Sequence, residues 1–144
     1  MDFLYFDTQH AIGVHDNIID TTGGLSGVIN IGLLDSVLDH IKNDMYYPCI
    51  EDKTAHLLFS VNKNHAFQDG NKRSSLALSA YFLEINGFSF MIKKFIVKME
   101  NIVVSVADNI IDKDLLKEII TSLIYDDEYS EELKLKIFRA LSSN

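Results

Sequence analysis

The stretch that decides this fold is HAFQDGNKRSS, residues 65–75. It is a short polar turn between two almost wholly apolar segments, residues 55–61 and 76–85. Apolar segments of this kind predict buried helices, and a polar turn between buried helices is a common place for a site in a helical bundle. We therefore expect the chemistry of this protein at the turn.

The start of the second of these helices suits an anion. The first backbone N–H groups of a helix lack intrahelical partners and carry partial positive charge, so a phosphate can lie against them. Gly70 lets the backbone approach such an anion, and Asn71, Lys72 and Arg73 fall in the first helical turn. Arg73 offers a planar fork for phosphate oxygens, and Lys72 offers a movable point charge.

Three further residues of the turn have predicted tasks. Asp69 is a hard oxygen ligand beside the anion site, as a phosphate-bound Mg²⁺ requires. His65 could take a proton from an incoming hydroxyl, because imidazole is the side chain best suited to proton transfer near neutral pH. Phe67 lies between two polar positions and is interpreted as the anchor that holds the loop to the core.

Taken singly, these residues have ordinary structural explanations. A lone histidine beside apolar segments is more often a hydrogen-bonded structural residue than a base. An Asp-Gly-Asn run is more often a turn than a metal site, and Lys-Arg at a helix start is usually solvated. The combination of all these groups at one helix start is what favours a functional site.

The combination resembles the signature of the Fic/Doc family, which reads His, any residue, Phe, any residue, Asp or Glu, Gly or Ala, Asn, Gly or Lys, Arg. Segments before it resemble the amino-terminal half of the Doc, or death-on-curing, branch. They are HDNII at 15–19, GGLSGV at 23–28 and GLL at 32–34. The likeness spans residues 7 to 108 and implies the all-α fold of that family.

The resemblance also implies an enzyme that uses ATP and Mg²⁺ to modify a protein. His65 would be the general base and Asp69 the Mg²⁺ ligand. The phosphates of ATP would lie in a cradle formed by Gly70, Asn71, Lys72 and Arg73.

Two departures from the wider Fic pattern favour phosphoryl transfer over AMP transfer. Fic AMP-transferases usually have a glycine at the position of Lys72 and a second arginine at the position of Leu76, which help to hold the β- and γ-phosphates. Doc does not hold the β- and γ-phosphates in this way. It binds ATP in the opposite orientation and transfers the γ-phosphate. The resemblance thus implies a toxin-like kinase that acts on Ser or Thr of a translation factor such as elongation factor Tu. AMP transfer is the alternative, and a non-catalytic nucleotide- or protein-binding module is the third hypothesis.

In Fic-type folds a flap before the signature helix pair docks the target by strand-like pairing. The candidates here are Met45, Tyr46 and Tyr47, because Pro48 biases the residue before it towards an extended conformation. A plain loop with two tyrosines packed on the core is an equal alternative.

Control by a partner is also implied. Fic-type enzymes are commonly restrained by a glutamate that competes for the signature arginine, in some members from a helix of the same chain. The segment SEELK at 130–134 has no glutamate at the expected fourth step after the serine. Restraint by a separate small antitoxin, as in the Phd/Doc systems, is therefore the expectation.

Composition limits the other possibilities. A chain of 144 residues with 47% apolar residues has room for one ordinary domain. Its net charge of −8 argues against broad binding of DNA or anionic membranes. Even so, Lys63, Lys72 and Arg73 could form a local basic patch that attracts a nucleotide.

The compartment is predicted from cysteine use and from the amino terminus. Cys49 is the only cysteine, which excludes an intrachain disulfide and fits a reducing cytoplasm. The opening MDFLYFD has neither the basic start nor the long apolar run of a signal peptide, and no uninterrupted apolar span approaches the length of a membrane helix. We expect a cytoplasmic protein.

Apolar periodicity predicts an all-α, single-domain bundle of six to seven helices. We expect residues 1–125 to form the family-like domain and residues 126–144 to form an acidic turn followed by an amphipathic helix. This helix is expected to pack on the domain; the alternatives are that it forms a homo-oligomer contact or covers the nucleotide cleft. Residues 88–106 are predicted as helix although their β-branched run also favours a strand. His10 and His15 are interpreted as structural or surface residues and His40 as solvated.

Overall fold

The computed structural model describes residues 2–143, which form seven α-helices and no β-strand. A π-helical turn at Glu84–Phe88 and a 3-10 turn at Ser89–Met91 join the fourth helix to the fifth. The all-α prediction is confirmed. The helices are α1 Thr8–Thr22, α2 Ile31–His40, α3 Ile50–Asn64, α4 Asn71–Leu83, α5 Ile92–Ala107, α6 Lys113–Tyr125 and α7 Glu131–Ser142.

Helices α3 and α4 form the centre of the bundle. They pack on each other; α4 also contacts α1 and α5, while α3 contacts α2, α5 and α6. Leu57 and Leu58 of α3 and Phe82 and Leu83 of α4 are fully buried. Because α3 and α4 are held on most sides, the turn between them has a rigid support.

The end of α4 comes earlier than the apolar pattern predicted. The apolar segment runs to residue 85, whereas α4 ends at Leu83, and Gly87 in the π-helical turn that follows adopts the left-handed φ of 95°. The side chain of Asn86 donates to the carbonyls of Phe82 at 2.8 Å and Leu4 at 3.0 Å. The break thus ties the amino-terminal segment to the central helix.

The helical prediction for the β-branched segment is confirmed over α5. Its inner face buries Phe95, Met99, Ile102, Val103 and Val106, which recur at helical spacing. Burial of this face outweighs the strand preference of the valines, since tertiary packing overrides local propensity.

The last helix, α7, packs on α6 and buries Leu133, while Ser130 caps it by accepting from the Leu133 N–H at 3.1 Å. Leu135, Phe138 and Leu141 of α7 are exposed. The division of the chain at residue 125 stays a prediction.

By length and composition, the helical run Asn71–Ala107 could cross a membrane, with a mean hydropathy of 1.3. This is weak support for a span, because the core helix of a bundle passes the same test. Here the run is broken by the turn at Asn86 and Gly87.

Candidate active site at the start of α4

The turn begins at His65, which ends α3 in the left-handed conformation with φ 51° and ψ 49°. This conformation costs energy for a residue with a Cβ, so the surrounding structure must hold it. The imidazole is exposed and has no hydrogen bond or ion pair with any residue in 2–143. It is therefore available to a proton donor from outside the chain.

Phe67 and Asn71 hold the turn to the core. The Phe67 ring is fully buried. The Asn71 amide donates to the Phe67 carbonyl at 3.0 Å and accepts from the Phe67 N–H at 3.2 Å. Because these bonds engage the side chain of Asn71, this residue would contribute to a phosphate cradle through its backbone N–H in the first turn of α4.

Asp69 is held as a carboxylate by backbone donors. Its Oδ1 accepts from the Gly70 N–H at 2.7 Å, and its Oδ2 accepts from the Leu25 N–H at 3.1 Å. The Leu25 bond and then the Gly70 bond hold the pKa of the Asp69 carboxyl below its usual range, and the Arg73 charge 3.7 Å away adds to the effect. A partly exposed, ionised oxygen ligand therefore stands at the start of α4.

Two cations follow on α4. The Nη1 of Arg73 donates to Thr22 Oγ1 at 2.5 Å and to the Gly23 carbonyl at 2.8 Å, at the carboxyl end of α1. Lys72 is exposed and has no ion pair within residues 2–143. One cation is therefore fixed in direction and the other is free to move.

Lys63, the third residue of the expected basic patch, is engaged at the carboxyl end of α5. The Lys63 Nζ donates to the carbonyls of Val106 at 3.3 Å and Ala107 at 3.2 Å, and it also contacts the Asn109 side chain. A cation at the carboxyl end of a helix is stabilised by the unpaired carbonyls and by the helix dipole, so Lys63 caps α5.

A glycine-rich segment, which the sequence marked only by its resemblance to the Doc branch, lies directly beside the turn. We call residues 23–30 the glycine-rich loop. Val28 pairs with Phe67 in an antiparallel bridge, and the Gln68 N–H donates to the Gly27 carbonyl at 3.0 Å. The register of this pairing depends on the approach of distant segments, so only the run of glycines could have signalled it.

The flap candidates Met45, Tyr46 and Tyr47 lie in a turn between α2 and α3. Met45 and Tyr46 are strongly exposed, whereas the Tyr47 ring stacks on His56 with centroids 4.3 Å apart. The segment paired with the turn is 27–30. A docking role for residues 45–47 stays a prediction.

An apolar groove of about 530 Å³ runs beside the cations, between α1, α4 and α5. Lys72 and Arg73 stand in its wall, and the rest is mainly aliphatic, including Leu76, Ala77 and Val103. Such a groove can accept a molecule with an apolar body and an anionic end.

The family model described as Fic/DOC matches residues 5–83, which include α1 to α4, the glycine-rich loop and the whole turn. The chain belongs to this family. Among curated relatives, the "Toxin Doc" of Mycolicibacterium smegmatis is 36% identical over 96 residues, which cover 64% of this chain and 74% of that protein. The "Protein kinase doc" of Escherichia phage P1 is 29% identical over 86 residues, which cover 58% and 68% respectively.

Proposed function

We propose that this Fic/DOC protein transfers the γ-phosphoryl group of ATP to a Ser or Thr hydroxyl of a protein, as the toxin of a toxin–antitoxin pair. The observation that carries the proposal is the start of α4, where an ionised Asp69 and two cations stand four to eight residues after an exposed, unpaired His65. The two relatives named as toxin and kinase support the same interpretation.

Each group has a chemical task in this reaction. His65 takes the proton of the target hydroxyl as the bond from its oxygen to the γ-phosphorus forms and the bond to the β-phosphate oxygen breaks, releasing ADP. Arg73 and the first N–H groups of α4 hold phosphate oxygens and stabilise the charge that develops on them.

Asp69 is the residue that would hold Mg²⁺. No group of three or more His, Cys, Asp or Glu side chains suited to a metal occurs within residues 2–143. Side chains of this region alone therefore do not form a complete set of metal ligands. One ionised carboxylate does fit Mg²⁺, because this ion usually takes one or two carboxylates together with substrate phosphates and water. When bound, the ion supplies charge neutralisation on the phosphates.

Leu76 favours phosphoryl transfer over AMP transfer. It lines the aliphatic groove and carries no charge, so it cannot hold the β- and γ-phosphates as an arginine would. The groove itself would take the nucleoside of ATP, with the phosphates directed to Lys72 and Arg73. AMP transfer by the same base is the second candidate. A non-catalytic binding module is disfavoured, because it would not explain the ionised Asp69 and the unpaired His65.

The glycine-rich loop is a second candidate for target docking beside Met45, Tyr46 and Tyr47. One edge of its extended part pairs with the turn, and Leu25 and Ile29 are 62% and 61% exposed. An extended peptide could add to such a segment by backbone pairing, with the apolar side chains giving specificity. By family resemblance, a translation factor such as elongation factor Tu is the target class, a small antitoxin is the inhibitor and the cytoplasm is the compartment.

The test is a pair of parallel reactions with purified protein, Mg²⁺ and a bacterial extract that contains elongation factors. One reaction has ATP labelled at the γ-phosphate and the other at the α-phosphate. We expect γ-label on a protein band with wild type and none with His65→Ala. Label from the α position would replace the kinase assignment by AMP transfer, and label that persists in His65→Ala would remove His65 from the base role.

A further inference from the structure

His15 of α1 is fully buried beneath the turn. Its ring lies parallel to the Phe67 ring, with centroids 3.8 Å apart and an angle of 2° between the planes. Its Nε2 is 2.6 Å from the backbone carbonyl oxygen of Asp69. A carbonyl oxygen only accepts hydrogen bonds, so Nε2 carries the proton and donates it. This donor exists in the neutral and in the cationic ring alike.

The acceptor of that bond belongs to the peptide unit that also holds the Asp69 carboxylate. The Asp69–Gly70 peptide is planar and trans, so its C=O and N–H point in opposite directions. Anchoring the carbonyl oxygen on His15 therefore sets the direction of the Gly70 N–H. That N–H donates to Asp69 Oδ1 at 2.7 Å.

The fit around this peptide is close. Gly70 has a left-handed φ of 78°, and a Cβ at this position would lie 3.1 Å from Ile19 Cδ1 and 3.4 Å from His15 Nε2. The peptide unit therefore rests directly on α1, with His15 as its polar contact. The nearest charge to the other ring nitrogen is the exposed Asp16 carboxylate, 3.3 Å from Nδ1.

We propose that His15 is a positioning residue for Asp69, which acts through the Asp69–Gly70 peptide to aim the carboxylate at the metal and phosphate of the nucleotide. The inference rests on the proposed function for the identity of the ligand. It assigns to the amino-terminal helix a task in substrate binding, where the sequence predicted only a structural or surface histidine.

Two variants separate the hydrogen bond from the packing. His15→Phe keeps a planar ring on Phe67 and removes the donor, whereas His15→Gln keeps an N–H donor and removes the ring. His10→Phe is the matched control, because His10 lies on the same helix, stacks on Tyr81 at 4.5 Å and has an Nε2 without a partner within residues 2–143.

The first readout needs no ligand. In the ¹³C,¹⁵N-labelled, nucleotide-free protein, we expect the amide proton of Gly70 to move upfield and to exchange faster in His15→Phe, and to return towards wild type in His15→Gln. In wild type, the Nε2 proton should show a scalar coupling to the Asp69 carbonyl carbon. Absence of that coupling, or an unchanged Gly70 amide in folded His15→Phe, would overturn the proposal whichever variants fold.

The second readout is metal affinity, measured by electron paramagnetic resonance with Mn²⁺ and a non-hydrolysable ATP analogue. His15→Phe should raise the dissociation constant about tenfold, His15→Gln should recover most of the loss and His10→Phe should match wild type. A normal affinity in His15→Phe contradicts the proposal. If Asp69→Asn also binds Mn²⁺ normally, the metal assignment in the proposed function fails instead.

Discussion

Asn71 and Arg73 show how neighbouring residues of one helical turn divide their tasks. Asn71 is buried and its amide is hydrogen-bonded to the Phe67 backbone, so it shapes the turn. Arg73 is partly exposed and reaches the carboxyl end of α1 through Thr22 and Gly23, so its guanidinium is held between the two helices beside the Asp69 carboxylate. Both side chains could be named from the sequence, but their separate tasks follow from what each one contacts.

His56 is a buried residue whose ionisation affects stability. Burial, and then the nearby charges of Lys113 and His40, lower its pKa to about 4. An unfolded histidine has a pKa of about 6.5, so between those values the unfolded chain binds more protons and stability rises with pH. The free energy of unfolding should fall by about 2 kcal/mol from pH 7 to pH 4 on account of His56 alone, after allowance for partial solvent screening.

Urea unfolding at pH 7, 5.5 and 4 measures this effect. His56→Gln should show a shallower loss of stability than wild type over that range, because glutamine does not titrate. His65→Gln is the control, since the His65 imidazole is exposed and has no hydrogen bond or ion pair with any residue in 2–143. Equal slopes in wild type and His56→Gln would show that His56 is not buried as the neutral ring.

At the scale of elements, the glycine-rich loop and the turn form one unit although about 40 residues separate them. The Leu25 N–H holds Asp69 Oδ2, and the Val28 to Phe67 bridge sets the register. Gly24 lies so close that a Cβ would stand 2.7 Å from Asp69 Oδ2 and 3.1 Å from Arg73 Nη2. The geometry of the site thus depends on a loop that supplies no side chain to it at this point.

Gly24→Ala should therefore impair the site more than the fold. Gly27→Ala is the matched control, because Gly27 has a similar φ of 123°, against 127° for Gly24, but a Cβ there meets nothing within 4 Å. Both variants carry comparable backbone strain, of order 1–3 kcal/mol. We expect γ-phosphate transfer to fall at least tenfold further in Gly24→Ala than in Gly27→Ala, with a slightly lower melting temperature for Gly24→Ala, because its Cβ also meets the Cδ1 end of Ile19 at 3.0 Å. Equal losses would mean that backbone strain alone is responsible.

At the scale of the whole molecule, a few buried polar side chains tie the helices to one another. Lys53 of α3 is fully buried, and its Nζ donates to the Ile41 carbonyl at 2.6 Å and to Asp44 at 2.7 Å. Asn62 of α3 donates to the Val103 carbonyl on α5 at 2.9 Å. These bonds specify how α2 and α5 lie on the central pair, which apolar packing alone would leave less defined.

Lys53→Met should lower the free energy of unfolding by about 1–2 kcal/mol, because the buried Ile41 carbonyl loses its short bond from Nζ and keeps only the Tyr5 hydroxyl at 3.5 Å. Lys136→Met is the comparison, since the Lys136 pair with Glu118 at 2.8 Å is on the surface and should contribute less than about 1 kcal/mol. Chemical denaturation of both variants measures the difference. A loss for Lys53→Met no larger than that for Lys136→Met would contradict a stabilising role for the buried amine.

Helical periodicity was sufficient to predict the all-α class and the central pair, because side chains three and four residues apart share a face whatever the rest of the chain does. The family signature at residues 65–73 likewise lies within one short segment, so the order of its residues is enough to recognise it. Local spacing could not predict four other features. They are the early end of α4, the capping role of Lys63, the pairing of residues 27–30 with the turn and the bond from His15 to Asp69. Each depends on which distant segments meet and in what register, and local spacing carries no information about either.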